Sequence, residues 1–406
     1  MLSLVVLATL ASSSPLTLPD VLAEVSERAP RVETGEAAID VRRAAVDTAG
    51  TWDDATLSVM SQAIPLPGGS MDPTNPIMIA YRIAQPLNLF GRRGAARDAA
   101  AADVAQAEAA LRRTRWDARA QAVALFYELW MNGAMGELLD EQIATLERMR
   151  ESALARVRSG MEMGHHDVLR AESELAAMQA EKASLADQRA AMAAMLNTLR
   201  GHAPDEPIGE LALPAAAALP SIDSFASLAA GTPEVAAARA MRDAATAKER
   251  LARTMYLPMV MVMGEYEQNF GGMSDGLGVG VSVSIPLFTR ARPKSEIAMA
   301  VAMARAAERE AAAMQRMADA DLRMAWSQTR AADRRIDALE HAAIPKLRET
   351  IASSEAAYVS GSGNFLSLLE AVMALQQLEA QRIEAVAARG VARFTLDRIA
   401  GAEVSP

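Results

Sequence analysis

The sequence predicts a mainly α-helical, internally duplicated chain that also carries β-strands of the membrane type. Three observations predict it. Short motifs recur at a separation of 200 residues (286 − 86): Pro86-Leu87 with Pro286-Leu287, Ala171 with Ala371, and Leu199-Arg200-Gly201 with Ile399-Ala400-Gly401. Three anchors at one offset mark duplication of a whole structural unit. Long stretches between them are poor in proline, as very long helices require. Other stretches alternate apolar with small or polar residues over about ten positions, the signature of strands that span a membrane. Each repeat reads as hairpin, long helix, glycine-containing tip and return helix.

In chain order, residues 1–14 join an apolar run to a small-residue tail and read as a signal peptide, although no basic stretch precedes the run. Residues 15–50 form an N-terminal helix. Residues 51–90 hold the first hairpin. Its weaker strand spans Ala55 to Ile64, and its clearer one places Ile77, Ile79, Tyr81 and Ile83 outward against Met78, Ala80, Arg82 and Ala84. Residues 91–200 form the first helical hairpin. Between Gly91 and Gly160 there is no proline, and a helix of that length spans on the order of 100 Å at 1.5 Å per residue. Its return helix spaces Leu175, Met178, Leu185, Met192, Leu196 and Leu199 as a coiled-coil seam.

Residues 201–220, with Pro204, Pro207 and Pro214, read as a linker between the halves. A helix over 221–256 leads to the second hairpin, 257–289. There Met259 to Asn269 sets Glu265 and Glu267 on the face opposite Tyr266. Gly276 to Leu287 sets Leu277, Val279, Val281, Val283 and Ile285 opposite glycines and serines. The second helical hairpin, 290–401, predicts a kink at Pro345 and a seam through Phe365, Leu368, Val372 and Leu375.

Composition narrows the function. Hydrophobic residues reach 51% while aromatics are 4%, so the chain builds thin helical walls rather than a thick core. A net charge of −10 gives a nucleic-acid backbone nothing to bind. The absence of cysteine excludes disulfides and thiolate metal sites. No run approaches the roughly 20 apolar residues of a spanning helix, so membrane contact falls to the strands. Alternation alone also fits a half-buried soluble sheet. The number of strands weighs the other way in a membrane: four cannot close a barrel, for which about eight is the minimum, and open edges are not tolerated in lipid. Several protomers must then share one barrel.

No constellation for catalysis, cofactor or metal emerges. Gly276-Leu277-Gly278-Val279-Gly280 departs from a dinucleotide-binding pattern and opens no helix. His165-His166-Asp167 with Glu172 lacks metal-site spacing, because adjacent imidazoles on a helix point to different faces, and it reads as a polar tip contact. The 24 methionines read as adaptable packing.

The ordered set of motifs resembles the TolC-type outer membrane factors, the exit ducts of bacterial efflux and secretion systems. Gln85-Pro86-Leu87 and Ile285-Pro286-Leu287-Phe288, each followed by arginines (Arg92-Arg93, Arg290, Arg292), look like the family's strand-to-helix exits. Arg158-Ser159-Gly160 through Asp167-Val168-Leu169-Arg170-Ala171-Glu172 looks like the first periplasmic tip. Tyr358-Val359-Ser360-Gly361 followed by Phe365 to Ala371 looks like the second. The wording of the exits resembles the cobalt-zinc-cadmium efflux class.

The resemblance implies a homotrimeric duct. Four strands per protomer would share a twelve-stranded β-barrel in the outer membrane, continued by a long periplasmic α-helical barrel. It implies as partners a periplasmic adaptor protein, an inner-membrane efflux pump and outer-membrane lipid. The adaptor would dock on tips that include Ser159, Gly160, Ser360 and Gly361. It implies a periplasmic gate in which Glu370 holds one acidic position and Ser367 stands at a second that is normally acidic. Asp167 and Tyr358 match a tip latch whose usual arginine is replaced by Gly363. The rival readings are a periplasmic adaptor and a soluble coiled-coil scaffold; duplication at fixed offset counts against the first, and strand alternation against the second.

Overall fold

The computed structural model describes residues 15–62, 77–158, 164–226, 231–270, 272, 274–284, 291–360 and 362–399. The predicted signal peptide, the turn of the first hairpin and the strand exit Ile285-Pro286-Leu287 lie outside them.

In chain order the elements are β1 (Leu16–Thr17), α1 (Leu18–Arg28), α2 (Pro30–Ala49), β2 (Thr56–Gln62), β3 (Met78–Leu87), α3 (Arg92–Arg158) and α4 (Gly164–Arg200). There follow β4 (Leu211–Ala212), α5 (Ile222–Ala226), α6 (Pro233–Arg253), β5 (Met259–Asn269), β6 (Gly276–Ser284), α7 (Ala291–Ala338), α8 (Ile344–Val359) and α9 (Phe365–Ile399). The repeat is visible in this order: α2, β2, β3, α3 and α4 recur as α6, β5, β6, α7–α8 and α9. The chain forms two compact units of interleaved segments. One combines Met1–Thr34, Arg112–Pro233 and Gln315–Pro406; the other combines Gly35–Leu111 and Glu234–Met314.

The second unit holds a four-stranded antiparallel sheet in the order β2-β3-β5-β6. β2 pairs antiparallel with β3 and β5 with β6, and β3 pairs with β5 to join the two pairs. Its helices pack through small side chains, with Ala99, Ala109, Ala244, Ala247 and Ala307 buried. Salt bridges join Arg43 to Glu108 and Lys248 to Asp103.

The first unit is held by helical seams. Leu175 and Met178 of α4 meet Phe365, Leu368 and Val372 of α9 in one buried cluster with Leu146 and Met149 of α3. At its N-terminus, Thr17 and Asp20 form a capping box around α1. The extended backbone of Ala29 separates α1 from α2, as the proline that follows it requires. The proline-rich linker is firmly tied: Leu211–Ala212 pairs in parallel with Leu16–Thr17, and Asn197 Nδ2 donates to the Glu206 carbonyl at 2.7 Å.

At the predicted kink, Leu339–Ala343 forms a turn of π-helix and Pro345 stands at the start of α8. Proline brings no N–H and its ring crowds the carbonyl four residues earlier; one wide turn accommodates both without ending the helix.

Candidate functional sites

The sheet has two chemically opposite faces. Successive residues of a strand point to opposite sides, and the antiparallel register lines up like with like. On one face Leu57, Ile83, Gly264 and Val279 form a row across the four strands, and Val59, Tyr81, Tyr266 and Leu277 form the next. Leu277 and Val279 are 86% and 90% exposed in the single chain. The Tyr81 and Tyr266 rings stack with centroids 6.1 Å apart. On the other face, Ser58, Arg82, Glu265 and Gly278 form one row and Met60, Ala80, Glu267 and Gly276 another. Arg82 grips Glu265 through Nη2 at 2.9 Å and Nε at 3.3 Å. An apolar face of this size, with two open edge strands, is a surface built for a partner. Among the described residues, no helix is long and apolar enough to cross a membrane.

The tip region brings together the predicted latch pair. Tyr358, at the end of α8, is 1% exposed and packs edge-on against Phe365 with centroids 5.7 Å apart. Its hydroxyl donates to Asp167 Oδ2 at 3.4 Å. The Arg156 guanidinium lies 4.3 Å from the Tyr358 ring centroid. Burial pushes the Tyr358 hydroxyl above the usual phenol range, with Arg156 opposing and Asp167 adding to the shift.

Arg156 is the residue that sequence reasoning missed. It lies in the last turns of α3, some 200 positions from Tyr358, and nothing in its local pattern marks a partner. Gly363 carries no side chain for a steric reason: a Cβ there would sit 2.7 Å from the Tyr358 backbone nitrogen. Arginine therefore reaches this tyrosine from another helix.

Glu370 and Ser367 are both exposed and lie three residues apart on α9, away from the buried Phe365, Leu368 and Leu369. Ser360 caps α8, its Oγ donating to the Ala357 carbonyl at 3.0 Å. Ser159, Gly160 and Gly361 lie outside the described residues.

A charged network joins α8, α9 and the π-turn. Glu379 is 8% exposed. It accepts from Arg348 Nη2 at 2.8 Å and from Arg382 Nε at 2.9 Å. Arg382 also reaches Glu340 at 3.3 Å. Among the described residues, no group of three or more His, Cys, Asp or Glu is placed to hold a metal ion.

Comparison with known proteins places these features in a family. The model of the outer membrane efflux protein family matches residues 21–202 and 226–402. In fold, the chain is similar to the outer membrane protein VceC from Vibrio cholerae, with a TM-score of 0.80 and 18% identity over 95% of this chain and 96% of that one. It is similar to the outer-membrane channel OprN, at 0.79 and 22% over 95% and 89%. It is also similar to the open-state MtrE outer membrane channel of Neisseria gonorrhoeae, at 0.72 and 20% over 95% and 88%. No curated protein matches the chain in sequence.

Proposed function

We propose that this chain, which belongs to the outer membrane efflux protein family, closes its barrel as a homotrimer and receives cargo from a periplasmic adaptor and an inner-membrane pump. The protein is an exit duct of the outer membrane with a large periplasmic helical portion. The family is one of channels, and conduction here is passive, with no catalytic step.

The observation that carries the trimer is the two-faced, open-edged sheet. Four strands fall short of the roughly eight a closed barrel needs, and unpaired edges are excluded from lipid. Three copies joined β2 to β6 supply twelve strands, put the Leu277 and Val279 face toward lipid, and turn the Arg82–Glu265 face toward water. A heat-modifiable trimer recovered from outer-membrane extracts is the expected result. A stable monomer in detergent-free buffer, without affinity for lipid, overturns it.

At the periplasmic end, Glu370 forms the acidic ring of the gate, with Ser367 at a second, uncharged position. Three carboxylates around a narrow pore concentrate negative potential and favour cations. Tyr358 and Asp167 form the latch, with Arg156 in the role of the absent arginine. The adaptor docks on the tips at Ser159, Gly160, Ser360 and Gly361. Glu370→Gln lowers cation preference in single-channel recordings; unchanged selectivity removes Glu370 from the pore.

A further inference from the structure

Where the sheet gives way to helices, the second unit contains a cavity of about 310 Å³ whose walls include Thr48, Thr51, Asn88, Arg92, Arg93 and Thr254. Arg92 and Arg93 are both partly buried. Among the described residues neither forms an ion pair, although Arg93 stacks 4.5 Å from the centroid of the Trp52 ring. Two guanidinium groups that line one cavity, both partly withdrawn from water, favour an anion there. Asp53 also lines the cavity, but it is engaged in the wall: its carboxylate accepts from Asn88 Nδ2 at 3.0 Å and its carbonyl from Gln85 Nε2 at 2.7 Å. Two arginines less one carboxylate leave a single positive charge, which matches one phosphodiester.

The surroundings are those of a lipid rather than of a free ion. β3 ends at Leu87 and β5 begins at Met259, and the residues beside those ends are exposed and apolar. Trp52, Leu89, Phe90, Met255, Tyr256 and Leu257 all present large side chains to the outside. Phe90 does so from a left-handed backbone, at φ 58°, a conformation that large side chains rarely adopt. Amphipathic aromatics beside arginines, near the ends of strands with an exposed apolar face, mark the level of lipid headgroups.

We infer that the Arg92–Arg93 cavity binds the phosphodiester headgroup of an anionic phospholipid, with Trp52 and Phe90 alongside its acyl chains. The inference rests on the outer-membrane reading and adds to it a specific headgroup site. Arginine supplies the forked geometry that phosphate oxygens take, and the anion is left to the two guanidinium groups, because the Thr48, Thr51 and Thr254 hydroxyls already donate to the carbonyls of Ala44, Thr48 and Leu251.

The test uses the purified full chain in mild detergent, offered phosphatidylglycerol and phosphatidylethanolamine, with bound lipid counted by native mass spectrometry. The wild type retains phosphatidylglycerol in preference. Arg92→Gln/Arg93→Gln reduces that preference roughly tenfold or more, on the scale of two basic contacts to an anionic lipid. A control with two arginines removed from α7, Arg305→Gln/Arg309→Gln, retains it. Equal retention of the two lipids by the wild type overturns the site, whether or not the variant folds. Displacement of phosphatidylglycerol by inorganic phosphate alone overturns the lipid assignment in favour of a free-anion site. Outer-membrane recovery and conductance of the wild type are measured in parallel. If those fail, the duct reading falls; if they hold and lipid preference is absent, only this site falls.

Discussion

The two helical hairpins are copies of one another, yet they are fastened differently. In the first, Lys182 of α4 pairs with Asp140 of α3 across an exposed surface. The positions 200 residues further on hold the same kind of pair, Arg382 with Glu340. There the likeness stops. The first copy has an exposed Gln179 where the second has the buried Glu379, held between Arg348 and Arg382. The first helix runs without interruption through Thr145, whereas the second passes through a π-turn ahead of Pro345. A second exchange accompanies this one. Tyr127 of α3 packs onto Gly390 of α9, while the corresponding positions carry Ser327 and Ala190. Duplication thus preserved the position of an exposed interhelix clasp while its neighbours diverged. An exposed pair adds little, whereas a buried carboxylate satisfied from two sides ties its helices together.

Three substitutions test that contrast, from the largest effect to the smallest. Gly390→Ala places a Cβ 2.0 Å from Tyr127 Cζ, so the ring must leave its site. The expected loss is about 1–3 kcal/mol, as for other overpacked cores, read by denaturant unfolding in detergent. The same change in a Tyr127→Ser background costs less, and equal costs in the two backgrounds would mean that the crossing is not where the strain falls. Glu379→Gln gives the second copy the first copy's residue. It weakens two charge-assisted hydrogen bonds, but both arginines keep some contact with water, so the loss is about 1 kcal/mol in the same assay. Lys182→Ala removes the exposed clasp and costs only a few tenths of a kcal/mol, less still at high salt. If Lys182→Ala cost as much as Glu379→Gln, burial would not distinguish the copies.

Much of this architecture is legible in the residues because the signals are local. Period-two alternation in Leu277, Val279, Val281 and Val283 predicts the exposed face of β6, and the opposition of Glu265 to Tyr266 predicts the faces of β5. Period-seven spacing finds Leu175 and Met178 buried in their seam. What escapes the sequence is partnership. Arg82 and Glu265 share a face only because β3 lies beside β5, a pairing 183 residues apart along the chain. Arg156 joins Tyr358, and Leu211–Ala212 joins Leu16–Thr17 from a stretch whose prolines read as a simple linker.

By itself the sequence determined the duplication, the mixture of long helices with alternating strands, and which side of the clearest strands and seams is apolar. Each of these follows from backbone geometry repeated every two, three or four residues, and so is written in neighbouring side chains. The tertiary structure alone decided which strands adjoin, which arginine reaches the tip tyrosine, and that Glu379 is buried where its counterpart Gln179 is exposed. Those outcomes depend on where distant segments come to lie, and short-range spacing carries no record of distances closed across two hundred residues.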